Sequence, residues 1–115
     1  MTKSVESFIV KAAHDKAMTA AQRASQAFSD KHFGGRDGGA CGFAWVNVYK
    51  VRSNSKLGKA LCEVGFRKGY GGGLQLWNHW WNGQSVDAAE HGATAYATVL
   101  KQELNVEAYS GSRLD

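Results

Sequence analysis

From about Ser4 to His32 the chain has neither glycine nor proline, and alanine is its commonest residue there. Nothing in that stretch interrupts a helix, and alanine has the highest helix propensity of any residue. The first third of the chain is therefore committed to one helix. Ile9, Ala13, Ala17, Ala20, Ala24 and Ala27 recur at spacings of four and three, with Phe8 and Phe28 flanking the stripe. A seam of small residues lets another helix or a sheet come close. Unbroken, the helix would be about 40 Å long at roughly 1.5 Å per residue, longer than a domain of this size is wide. It is expected to cover one face of a sheet or, as the next reading, to form a homodimer.

Residues 34–42 hold five glycines and read as a hinge between this helix (1–33) and the remainder (43–115). Phe43 to Val51 alternates as a strand, apolar on both faces as in a covered central strand. Asn54 or Ser55 can cap a helix running to about Val64, with Leu57, Ala60, Leu61 and Val64 on one face and Gly65 closing it. Gly73 to Asn78 reads as a second strand. Ser85 caps a helix from Val86 to about Leu104, which Asn105 can end in the left-handed conformation. Val106 to Ser110 reads as the last strand. The expected fold is α/β (or α+β): a long N-terminal helix, then a small three-stranded βαβαβ sheet with parallel strands and helices packed on it.

The 115 residues suit a single domain. No apolar run approaches the roughly 20 residues of a membrane span, and no secretory leader is evident. Cys41 and Cys62 make no disulfide framework and no CxxC pair, which points to a reducing cytoplasm and away from structural zinc. A net charge of +4 and a pI near 9.2 permit a phosphate-bearing partner without demanding one.

Three of the four tryptophans fall at Trp77, Trp80 and Trp81, interleaved with Asn78, His79, Asn82 and Gln84. Indoles stack on flat ligands and side-chain amides read hydrogen-bond edges. If the strands are parallel, their carboxyl ends share one edge, where ligands on open α/β sheets favour binding. That edge would gather Arg52 and Asn54; His79, Trp80, Trp81, Asn82, Gln84 and Ser85; and Ser112, Arg113 and Asp115. Two arginines, two helix starts and exposed indoles would suit a nucleotide. Trp45 and Trp77 read as core, whereas Trp80 and Trp81 cannot both point inward.

Other motifs read as structure. Gly71–Gly73 precedes a strand and lacks a Walker lysine, so it is a turn. No HxH or HExxH spacing suggests a metal, and no cofactor is implied. The carboxylates are dispersed, which leaves Cys41, in a glycine-rich loop, as the weak catalytic candidate, with His79 or His91 as its candidate partner. Enzyme activity is the minor reading.

The blocks 39–48 (Gly-Ala-Cys-Gly-Phe-Ala-Trp-Val-Asn-Val), 68–78 (Lys-Gly-Tyr-Gly-Gly-Gly-Leu-Gln-Leu-Trp-Asn) and 109–115 (Tyr-Ser-Gly-Ser-Arg-Leu-Asp) resemble a group of small, uncharacterised proteins encoded by tailed bacteriophages and prophages. The likeness covers the chain from about Gly39 to Asp115, apart from the His-Trp-Trp insertion after Asn78. It implies expression in a bacterial host cytoplasm, or a place in the virion, with a role in host takeover or counter-defence. It transfers no functional residue. The leading expectation is recognition of a nucleotide or nucleic acid through the aromatic and arginine edge. The alternative is a protein-interaction module, a phage inhibitor of a host or defence factor or a virion component, anchored on the same tryptophans.

Overall fold

The computed structural model describes residues 2–34, 39–69 and 72–114. The hinge expected over 34–42 is thus described only at its ends, and the readings placed on Gly71 and Asp115 lie outside the described residues. Seven elements follow in order: α1 Thr2–Phe33, β1 Gly42–Tyr49, α2 Lys56–Glu63, β2 Arg67–Lys68, β3 Leu74–Trp77, α3 Val86–Leu104 and β4 Glu107–Leu114. Among the described residues no helix is long and apolar enough to cross a membrane.

The four strands form one sheet in the order β2-β3-β1-β4, and every neighbouring pair is antiparallel. This corrects the expected parallel sheet, and the reason is specific. Strands joined by a helix do run the same way, β1 with β2 and β3 with β4, because each pair is separated by one strand that opposes both. Strand β2 is additional to the three expected, because its two residues are too few to show a period. The hairpin between β2 and β3 reverses the chain, so β3 returns antiparallel to β1, with Trp45 opposite Trp77 and Val48 opposite Leu74. Chain order and strand order together give the split β-α-β arrangement, preceded here by an extra helix.

All the helices lie to one side of the sheet. Ala44, Val46, Val48, Leu74, Leu76 and Ala108 point inward and are buried. They meet Ala89, Ala93, Tyr96 and Leu100 of α3, while Leu61 of α2 and Phe66 complete the core. Across α3 lies α1, buried at Val10, Ala13, Ala17, Ala21, Ser25 and Ser29. The seam is therefore rotated from the expected one: Ile9 and Phe8 are exposed, at 47% and 76%. Serines take its C-terminal half because helices this close leave room only for small side chains. The Ser25 hydroxyl donates to the Ala88 carbonyl at 2.6 Å, which removes the cost of burying it.

Local chemistry sets the ends of the shorter helices as the sequence suggested. Ser55 caps α2 by accepting from the Gly58 amide at 3.0 Å, and Ser85 caps α3 by accepting from Ala88 at 3.2 Å. Asn105 ends α3 at φ 54°.

Candidate functional site

The arrangement expected at one strand edge divides in two. Strands β1 and β2 finish at one end of the sheet, β3 and β4 at the other. Arg52 and Asn54, in the loop after β1, are therefore far from His79–Ser85 and from Ser112 and Arg113, which do share an end.

Most of that second group is engaged in holding the chain. The Asn78 side chain accepts from the amides of Trp80 and Trp81, each at 3.0 Å, and donates to the Trp81 carbonyl at 2.9 Å. This tight turn drives Trp80 inward. Its side chain is 5% exposed, its indole N–H donates to the Ala89 carbonyl at 2.8 Å, and its ring lies 6.0 Å from that of Tyr96. Trp80 is thus a core residue and not an exposed stacking surface. Trp81 is partly buried against the same core, and its indole nitrogen is buried without a hydrogen-bond partner among the described residues. The His79 ring contacts the Trp77 carbonyl, and Asn82 is exposed. Ser85 is buried at the start of α3, and the Ser112 hydroxyl donates to Glu90 at 2.6 Å. The Cys41 thiol donates to the Gln84 side chain at 3.3 Å, while His91 stacks on Phe28 with ring centres 4.2 Å apart. Cys41 therefore has no histidine partner among the described residues. Those residues also contain no cluster of three or more His, Cys, Asp or Glu able to hold a metal.

A partly buried titratable pair lies behind Trp80. The Tyr96 hydroxyl and His14 Nδ1 share a hydrogen bond of 2.7 Å. Burial, above all, holds the His14 ring below its ordinary value; Lys11 and His79 add to this and Asp15 opposes it. Burial pushes the Tyr96 phenol well above its usual range. Neither residue lines the two hollows described below, and the effect of the pair is read through stability. An unfolded chain takes up the His14 proton at about 6.5, before the folded one does. This contribution is therefore complete above that value and is lost as pH falls through the lower folded value. Thermal melts between pH 7 and 5.5 should show the wild type weakening on acidification and His14→Gln weakening less. Equal slopes would reject the assignment.

The exposed aromatic surface lies on the helix-free face of the sheet. Phe43, Trp45, Asn47 and Tyr49 alternate outward from β1; Gln75 and Trp77 do so from β3; Tyr109, Gly111 and Arg113 from β4. Phe43, Tyr49, Trp77 and Tyr109 are 38–46% exposed. The Trp45 and Trp77 rings stack at 4.8 Å, and Phe43 meets Trp77 edge-on at 6.0 Å. Arg113 sits over both, its guanidinium 5.3 Å from the Phe43 ring centre and 6.0 Å from that of Trp77. Further along, Tyr49 faces Tyr109 at 5.9 Å, and Lys101 reaches over Tyr109 at 4.3 Å. Gly111 keeps the face flat: a Cβ there would fall 2.5 Å from the Trp45 indole nitrogen. Between the two ring groups, Gln75 Nε2 donates to Asn47 Oδ1 at 2.9 Å, and the Trp77 indole N–H donates to Gln75 Oε1 at 3.3 Å.

Trp45 and Trp77, expected in the core, instead form this open face. The signal was present in the alternation of Phe43, Trp45 and Tyr49 with Ala44, Val46 and Val48. Alternation separates two faces without saying which one the helices cover. Of the expected site, Arg113 alone joins the ring cluster.

Fold and site together define a split β-α-β domain with one helix-covered face and one open aromatic, basic face. The chain matches no family model, and neither the curated proteins nor the solved structures include a significant match to it.

Proposed function

We propose that the protein binds single-stranded nucleic acid across the open face of its sheet. The observation that carries this is the set of partly exposed rings from three strands, with Arg113 over two of them. Every base has a π-face, so rings presented in a plane take up successive unpaired bases with little sequence preference. Four-stranded sheets that recognise RNA stack two or three bases in this way. The Asn47–Gln75 pair lies between the two ring groups, where side-chain amides can meet a base edge. An overall charge of +4 favours a polyanion. The three blocks that resemble phage and prophage proteins contribute Phe43, Trp45, Gln75, Trp77, Tyr109 and Arg113 to this face, which fits a single-strand-binding role in an infected bacterial cell.

The test is fluorescence anisotropy with a labelled oligothymidylate and an oligouridylate. Trp77→Ala should weaken binding by about 5- to 150-fold, the equivalent of roughly 1–3 kcal/mol per stacked base. Its melting temperature should change little, since a partly exposed cross-strand ring pair contributes only about 0.2–1 kcal/mol. Affinity should fall log-linearly with salt. The same aromatics would also serve a protein-interaction module, but an indole-anchored protein interface responds weakly to salt. Failure of both oligonucleotides to bind the wild type would remove the nucleic-acid reading.

A further inference from the structure

We propose that the cleft at the Tyr49 end of the sheet is a phosphate subsite, holding the backbone of the strand whose bases lie on the aromatic face; the inference rests on that reading of the face. The cleft has a volume of about 980 Å³ and lies between the segment 50–54 after β1 and the β2–β3 hairpin. Lys50 and Arg52 from the first segment and Lys68 from the hairpin all line it, and among the described residues Glu107 is its one acidic wall residue. Lys50 pairs with Glu107 at 3.1 Å, but these side chains are 80% and 47% exposed, so the bridge is weak and a phosphate can replace the carboxylate. Among the described residues Arg52 and Lys68 form no ion pair. Three cations against one carboxylate leave the cleft net positive.

Its walls are fixed by backbone contacts. The Arg52 carbonyl accepts from the Ser55 amide at 3.1 Å and from its hydroxyl at 2.7 Å, which clamps the turn carrying Arg52. Gly73, at φ +78°, packs so closely that a Cβ would lie 2.4 Å from the Val48 carbonyl oxygen, pressing the hairpin onto the end of β1. Lys50 itself takes a left-handed φ of 60°, a conformation that collects at ligand sites. A guanidinium can grip a phosphate with two N–H groups while an ammonium supplies a point charge.

The cleft is continuous with the aromatic face. Tyr49 lines it and also faces Tyr109 on the sheet. A smaller hollow of about 390 Å³, formed by Lys68, Gly69, Gln75 and Trp77, connects the hairpin side to the tryptophan pair. Trp45 and Tyr49 lie four residues apart on β1, about 13 Å at roughly 3.3 Å per residue. A strand laid along β1 from the Trp77 group therefore reaches the cleft after the Tyr49 group.

The test has two arms. In the first, inorganic pyrophosphate is titrated into 15N-labelled protein and followed by amide shifts. Saturable shifts confined to Lys50–Asn54, Gly69 and Gly73 are expected. They should vanish in the exposed-site double variant Arg52→Gln/Lys68→Gln and strengthen in Glu107→Gln. In the second, the salt dependence of oligothymidylate binding is compared between wild type and the double variant. The slope of log K against log salt should fall by roughly 1.4, about 0.7 for each phosphate no longer neutralised. Pyrophosphate shifts that scatter over the surface or persist in the double variant, together with an unchanged slope, would overturn the subsite while Trp77-dependent binding kept the face. Localised pyrophosphate binding without any oligonucleotide binding would instead keep an anion site, and overturn both the face and its extension into the cleft.

Discussion

Trp80→Ala is expected to remove about 3–5 kcal/mol of folding stability, the range for truncating a large aromatic side chain in a well-packed interior. At roughly 4 °C per kcal/mol for a domain of this size, the melting temperature should fall by about 12–20 °C. Two effects combine. The indole packs on α3 beside Tyr96, and its N–H finds its acceptor in the Ala89 carbonyl. Gly92 of α3 has no side chain because that ring and Ser25 occupy the place: a Cβ there would lie 2.3 Å from Trp80 Cδ1 and 2.4 Å from Ser25 Oγ. Nothing nearby can collapse into the hole without moving α1 or α3. Calorimetry on Trp80→Ala and Trp77→Ala side by side separates the two roles. The first should unfold early, and the second should melt nearly as the wild type does but lose ligand. A fall of less than about 4 °C for Trp80→Ala, roughly 1 kcal/mol, would contradict its place in the core.

Gly58→Ala should destabilise the protein, although the same change within an exposed helix gains about 1 kcal/mol from propensity alone. Sterics reverse the sign. A Cβ on Gly58 would lie 1.9 Å from the Arg52 carbonyl oxygen and 2.8 Å from the Arg52 carbonyl carbon. Both are backbone atoms held by the Ser55 cap, so neither can swing aside as a side chain would. Overpacking typically costs about 1–3 kcal/mol, and an overlap with clamped backbone belongs at or above the top of that range. The net loss is expected to be at least about 2 kcal/mol, or roughly 8 °C in melting temperature. The change also loosens the turn that carries Arg52, so the variant that still folds at low temperature should bind pyrophosphate less well. A melting temperature at or above that of the wild type would show that the turn yields freely, and would weaken the case for a preformed cleft.

The helical parts were legible because their signals are local. Ser85 and Asn105 bracket α3 at the residues expected, and Ser55 caps α2, because capping depends on side chains within three residues of the helix end. The register of α1 was only half legible. Ala13 and Ala17 lie on both the expected and the observed seam, but Val10 replaces Ile9 as an anchor, and Ser25 and Ser29 replace alanines. Hydrophobicity favours Ile9 over a buried serine. Which residue faces inward depends on how closely α3 approaches and on whether a carbonyl such as that of Ala88 meets the hydroxyl. Two residues of β2 carried no periodic signal, yet they decide the direction of β3 and, with it, which loops share an end of the sheet.

The tryptophan roles were reversed for a related reason. The amide-rich turn after β3 looks like a recognition loop in one dimension. In three dimensions Asn78 spends its side chain on the turn itself and sends Trp80 into the core. Trp45 and Trp77 look like core residues because their strands are apolar on both faces. Among the described residues, no helix covers one of those faces.

By itself the sequence determined a long alanine-rich helix, two capped shorter helices, strands with aromatic residues alternating along them, and a mild positive charge. These depend on propensity, capping and period, which act over a few residues. The tertiary structure alone decided that the strands alternate in direction, that every helix gathers on one side, and that Phe43, Trp45, Tyr49, Trp77, Tyr109 and Arg113 share the other. Those outcomes follow from which apolar surfaces meet when distant segments pack, and the free energy of that packing is not a property of any one segment.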